Sequence, residues 1–145
     1  MITYATALEV FNRNCGSQNL YKRSYCNTLV YTDGVMDFQQ TLNAFWFVDN
    51  VISYMPDVIK DYHITKDYFY VVELSLNKNH KGQIIVYREG YIDGNYQECI
   101  PVIKQKIPYI DLPVDVKEKT TKYSFFLELS NAEKPEFTLM LPLEH

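Results

Sequence analysis

His63, His80 and His145 are the only side chains whose ordinary pKa lets them exchange a proton near neutral pH. A small hydrolase built on His63 or His80 would need a carboxylate or a nucleophile within hydrogen-bond reach. No GxSxG, HExxH, P-loop or GxGxxG is present to position one. His63 is expected between a helix and a strand, His80 in a hairpin turn and His145 at the end of the chain. Glu89 and Asp93 flank a turn, where carboxylates are ordinary solvated surface. Cys15, Cys26 and Cys99 form no CxxC and have no histidine at zinc-finger spacing. They read as buried free thiols in a reducing cytoplasm, with no metal or other cofactor expected. Hydrolysis is therefore the weakest reading of this chain, and a non-enzymatic role the stronger one.

Two charged sets offer binding chemistry instead. Asp33, Asp37, Asp49, Asp57 and Asp61 fall along one helical pattern with only Lys60 opposing them. Asp33, Asp37, Asp57 and Asp61 from this acidic face would meet a basic groove on a partner, or else form a solvated helix surface. Between residues 12 and 28, Arg13, Lys22 and Arg23 have no acidic neighbour in sequence and are interleaved with Tyr21 and Tyr25. Cations for phosphate and rings for bases are what a single-stranded nucleic-acid contact requires. The same residues also suit a solvated connecting loop.

The hydropathy pattern supplies the elements that must hold these groups. Thr3 can cap a helix to Asn12 whose Ala7, Leu8 and Phe11 share a face. Val35, Phe38, Leu42, Phe45, Val48, Ile52 and Met55 recur at steps of three and four after Asp33-Gly34. Thr32 or Asp33 is the N-cap, and the span is either one helix or two broken near Asn43. Pro56 is expected to end it, because the residue before a proline avoids the helical region. Trp46, the only tryptophan, belongs with the core. Asp49, one turn on, is expected to bond a backbone amide or the Trp46 indole.

After Tyr62 the period changes to two. Tyr68 to Leu76, Gln83 to Arg88, Tyr96 to Val102, Tyr123 to Leu129 and Phe137 to Leu141 read as strands. Asp93-Gly94-Asn95 is a tight turn, and residues 104–122, broken by Pro108 and Pro113, are expected to be irregular. Helices first and a meander afterwards indicate an α+β fold, with N-terminal helices packed on a mainly antiparallel sheet of about five strands.

The 145 residues suit a single domain spanning 1–145. Lys and Arg number 14 against 18 Asp and Glu, a formal net charge of −4, which argues against a general nucleic-acid or membrane binder. The first residues carry no basic region followed by an apolar block, and no apolar run approaches the roughly 20 residues of a membrane span. Thirteen tyrosines, each an apolar ring with a polar tip, favour protein contacts, although strand propensity also accounts for them. Lysine far outnumbers arginine, and the abundant residue types have AT-rich codons, as in many bacterial, phage and plasmid genomes.

Tyr31-Thr32-Asp33-Gly34-Val35 and Ala44-Phe45-Trp46-Phe47-Val48-Asp49 resemble an uncharacterised family of small bacterial and phage proteins, a domain of unknown function. Its pattern continues with Phe-x-x-x-x-Gly upstream and Asp-Gly-Asn, Asp-x-Pro and Leu-Pro-Ser-Glu-His downstream. Here these are Phe11 with Gly16, Asp93-Gly94-Asn95, Asp111-Leu112-Pro113 and Leu141-Pro142-Leu143-Glu144-His145. Leu143 replaces Ser, Phe45 replaces Tyr, and residues 115–135 look longer than is usual for the family. Thr32, Gly34, Trp46 and Asp49 are thereby marked as structural residues of the motif. Leu143 to His145 also spell the scar of a common purification tag, and no site is assigned there. The resemblance carries no activity but implies a phage or mobile-element setting. The leading expectation is a binding protein of the bacterial cytoplasm that contacts a host protein or ribonucleoprotein, as an anti-CRISPR inhibitor does. The alternative is a small RNA- or nucleotide-binding module using residues 13–25.

Overall fold

The computed structural model describes residues 2–145. Helix α1 (Tyr4–Arg13) begins at Thr3, whose Oγ1 accepts the Thr6 amide at 3.3 Å, and buries Ala7 and Val10. The polar segment that follows is more than a loop. It holds a two-residue strand, β1 (Leu20–Tyr21), and leads into β2 (Leu29–Thr32). Neither strand shows alternation: β1 is too short, and all four residues of β2 are buried.

The long apolar stripe forms two helices, α2 (Asp33–Thr41) and α3 (Phe45–Thr65). The break falls at Asn43, which takes a left-handed φ of 54° that few side chains other than Asn accept. Pro56 does not end α3, contrary to the sequence expectation. It lies on the exposed side of the helix, where its ring meets no packed neighbour layer and only one amide-to-carbonyl bond is lost. Burial of Tyr54, Met55 and Val58 holds the helix through it. The helix stops instead at Lys66, left-handed at φ 61°.

Five further strands complete the chain: β3 (Phe69–Asn77), β4 (Gly82–Ile92), β5 (Asn95–Ile107), β6 (Thr120–Asn131) and β7 (Glu136–Met140). The sheet therefore has seven strands, not five, in the order β1-β2-β7-β6-β3-β4-β5. It is mixed: β2 runs parallel to β7 and every other pair is antiparallel. The irregular stretch expected at 104–122 shrinks to 108–119.

Alternation on β3 sends Tyr70, Val72, Leu74 and Leu76 into the core with Tyr123, Phe125 and Leu127 of β6. Phe38 of α2 and Phe47 of α3 meet Phe125 there, with ring centroids 5.0 and 4.4 Å away. Outward on the same strands, Phe69, Val71 and Phe126 are half-buried, and Phe69 and Phe126 carry the ring of His145.

Strand β7 can sit beside β2 because the end of the chain is tied to the start of α2. In the single 3₁₀ turn Pro142–Glu144, the Glu144 carboxylate accepts the Thr32 hydroxyl at 2.6 Å and the amides of Gly34 and Leu141 at 3.0 Å. A carboxylate at a helix amino end satisfies orphan amides and complements the helix dipole. Gly34 leaves the necessary room, since a Cβ there would lie 2.2 Å from Glu144 Oε1. Charge-assisted bonds of this kind contribute about 1.5–3 kcal/mol. Glu144→Ala and Gly34→Ala are each expected to lower the urea unfolding free energy by about 2 kcal/mol, with Glu144→Gln between them and wild type. Unchanged stability in Glu144→Ala contradicts the tie.

Candidate functional site

The two charged sets read from the sequence are one interlocked system. Arg13 makes a forked pair with Asp37, Nε to Oδ2 at 2.7 Å and Nη2 to Oδ1 at 2.6 Å. Asn14 and Thr41 also donate to Asp37. Arg23 reaches Asp49 at 3.2 Å, the Tyr31 hydroxyl at 2.6 Å and Gln39 Oε1 at 2.7 Å. The Tyr25 hydroxyl donates to Asp49 at 2.6 Å and that of Tyr21 to Asp33 at 2.9 Å. Asp33 also accepts the amides of Gln18 and Asn19 and so pins the loop before β1. Arg13 and Arg23 thus do have acidic neighbours, brought from 24 and 26 residues away in the chain. Asp49 bonds side chains, not a backbone amide or the Trp46 indole. Trp46 is half-buried against Phe47.

Asp61 completes the pattern by accepting Arg88 Nε at 2.7 Å and the Tyr70 hydroxyl at 2.8 Å. Burial, with Asp61 adding to it, pushes the Tyr70 hydroxyl well above the usual tyrosine range. Of the four aspartates expected on a binding face, Asp57 alone has no donor among the described residues. In the basic set Lys22 alone has no acceptor. Thr32 and Gly34 serve the Glu144 tie. The histidines do not converge. His63 lies inside α3, His80 bonds the Ile110 carbonyl from the hairpin turn, and His145 bonds Glu128 at 2.7 Å. Cys26 is buried, but Cys15 and Cys99 are exposed, against expectation. Among the described residues no cluster of three His, Cys, Asp or Glu is placed to hold a metal, and no helix is long and apolar enough to cross a membrane.

What remains available lies where β4 and β5 leave the sheet. Strand β3 pairs with β4 only from Gly82 to Tyr87, so residues 88–100 form a two-stranded arm with no third strand. The arm turns at Asp93 and Gly94, with φ 51° and 81°, the positive pair that tight hairpins need. Tyr91 is 73% exposed, Ile92 51% and Tyr96 49%. Tyr96 donates to Glu89 at 2.5 Å, and that carboxylate pushes the phenol up to about 12. At the base Arg88, 12% exposed, is held between Asp61 and Asp67 and clamps the arm to α3. A cleft of about 400 Å³ opens there, walled by Tyr68, Phe69, Val71 and Tyr87 with Asp67, Glu89 and Glu98. Sequence reasoning used Asp93-Gly94-Asn95 only as a turn. The signal that marks an arm is three large apolar residues crowded around that turn, outside the alternation of the core strands.

These features define an α+β scaffold whose three arginines, with Asp33, Asp37, Asp49 and Asp61, are committed internally and whose exposed apolar side chains project on a hairpin. The model of the family of unknown function DUF6876 matches residues 5–145, and the chain belongs to that family. No curated protein and no solved structure matches it. The match runs through Glu144 and His145, and Glu144 is tied into the fold by the Gly34 amide.

The Arg13 pair gives the region a measurable acid dependence. The Arg13 guanidinium, with Asn14 and Thr41, lowers Asp37 from 3.8 to about 2. A depressed folded pKa contributes stability above the unfolded value that is lost as pH falls through the folded one. The stability difference between wild type and Asp37→Asn is expected to be full at about pH 5 and to vanish toward about pH 2. A difference independent of pH over that range contradicts the pairing.

Proposed function

We propose that this protein is a non-enzymatic binding protein that acts by protein–protein contact through the β4–β5 arm. The observation that carries the reading is the exposure of Tyr91, Ile92 and Tyr96 on a hairpin fixed at its base by Arg88. Contiguous exposed apolar surface on a soluble protein marks an interaction site. Tyrosines on a rigid support lose little freedom on binding and are enriched among the residues that dominate contact energies.

The partner class is a host protein or ribonucleoprotein complex, and the role is inhibition of a host defence complex, as by an anti-CRISPR protein of a phage or mobile element. The genomic setting implied by the family resemblance and the net charge of −4, suited to a basic nucleic-acid groove, support that choice. Internal pairing of Asp33, Asp37 and Asp61 shifts the expected contact from the acidic helix to the arm and leaves Asp57 as an auxiliary charge. Direct nucleic-acid binding by Arg13, Lys22, Arg23, Tyr21 and Tyr25 is the weaker reading, because all of these but Lys22 have internal partners.

Immobilised wild-type protein in host extract is expected to retain one partner at high salt. A folded Tyr91→Ser/Tyr96→Ser variant is expected to lose it by at least about tenfold. Equal retention by both, or loss in Asp57→Lys alone, overturns the arm as the contact. For the inhibitor role, expression should restore plating of a targeted phage only on hosts that carry the defence complex. Restoration on hosts without it contradicts that role.

A further inference from the structure

We propose that the cleft at the base of the arm is a binding site for an organic cation, an alkylammonium or guanidinium group on an apolar stem. This site stands independently of the arm's role, since free solute can fill it as well as a side chain of a partner.

Three rings, Tyr68, Phe69 and Tyr87, form its apolar walls, and Asp67, Glu89 and Glu98 bring carboxylates to it. Rings present a negative face to a cation, and carboxylates at the mouth add charge attraction. The volume of about 400 Å³ falls within the range of small-ligand clefts. Phe69 and Val71 point outward because their neighbours Tyr70 and Val72 fill the core, so the walls follow from strand alternation. Val71 lies opposite Tyr87 in the β3–β4 register, which sets the aliphatic floor beside the Tyr87 ring.

The charge balance excludes an anion. The only cation in the wall, Arg88, is already shared between Asp61 and Asp67 and is 12% exposed. Glu89 has one neutral donor, Tyr96, and Glu98 has none among the described residues. Two carboxylates therefore face the cleft with no cation to balance them. Tyr68, 61% exposed, stands at the rim, where its ring can close over an entering stem.

The test is a titration of ¹⁵N-labelled full-length protein with agmatine, cadaverine and a blocked arginine tripeptide, with N-propylacetamide as the uncharged control, followed by amide shifts. The expected result is saturable shifts at residues 67–71, 87–89 and 98 with the cations and none with the amide. Affinity should fall at least about fivefold in Glu98→Gln and in Tyr68→Ala, both at exposed positions that leave the remaining spectrum unchanged. Tighter binding of the peptide identifies a partner's side chain as the source of the cation, and tighter binding of a free amine identifies a small solute. Either result supports the site whatever the arm binds. Shifts scattered over all acidic residues, equal shifts with the amide, or affinity unchanged in both variants overturn it.

Discussion

The carboxylate of Glu144 in the amino end of α2 is the constraint on which the architecture rests. It joins residues 112 apart in sequence through Thr32 and 110 apart through Gly34. Strand β7 immediately precedes that turn, so the tie sets β7 next to β2, in parallel, and β6 on its other side. Without a seat for the Pro142–Glu144 turn, the β1–β2 pair would lose β7, its one link to the rest of the sheet. The α2–α3 layer, which starts at Thr32, would lose its fixed height above Phe125. Bringing together such distant segments costs loop-closure entropy, so the contact must be strong and directional. A charged acceptor with three donors meets that need.

A second layer of order comes from the three arginines, each of which staples a segment to the helix layer. Arg13 fastens the end of α1 to α2, Arg23 fastens the loop after β1 to α3, and Arg88 fastens the arm to α3. Guanidinium suits this task because its planar fork engages carboxylate and neighbouring acceptors at once. The pairs differ in weight. Arg13 is half-exposed, and a pair of that kind contributes little beyond orientation. Arg88 and Asp61 are 12% and 19% exposed, and Asp61 also accepts the Tyr70 hydroxyl, so removing Arg88 leaves a largely buried carboxylate without its cation. The rigidity of the arm base is paid in full at that point.

Much of the fold was legible because the core strands obey a period of two and the α2–α3 stripe a period near 3.6. Tyr70, Val72, Leu74 and Leu76 are buried as that periodicity implies, as are Val35, Phe38, Leu42, Val48 and Met55, whereas Ile52 is half-buried and Phe45, at the start of α3, is exposed. Strands β1 and β2 escaped because two or four residues give no period, and the sheet order escaped because it rests on Glu144, a long-range tie. Pro56 misled because local backbone preference yields where tertiary packing holds the helix on both sides. The charged sets were found correctly as residues and misjudged as surfaces. Sequence neighbours do not show that Arg13 meets Asp37, or that Tyr25 meets Asp49. The arm was hidden for the opposite reason. Tyr96 reads as an ordinary strand residue, and Tyr91 and Ile92 fall between the expected strand 83–88 and the turn, until the register shows that β4 runs on to Ile92 and β3 stops short of it.

The arm, not the acidic helix or the basic aromatic segment, is the proposed contact with a partner. Site-specific photocrosslinking in the host tests it most directly, with a benzophenone amino acid placed in turn at Tyr91, Asp57 and Tyr25. One discrete crosslinked protein is expected from Tyr91 and none from the other two positions. A crosslink from Asp57 or Tyr25 with none from Tyr91 would contradict it.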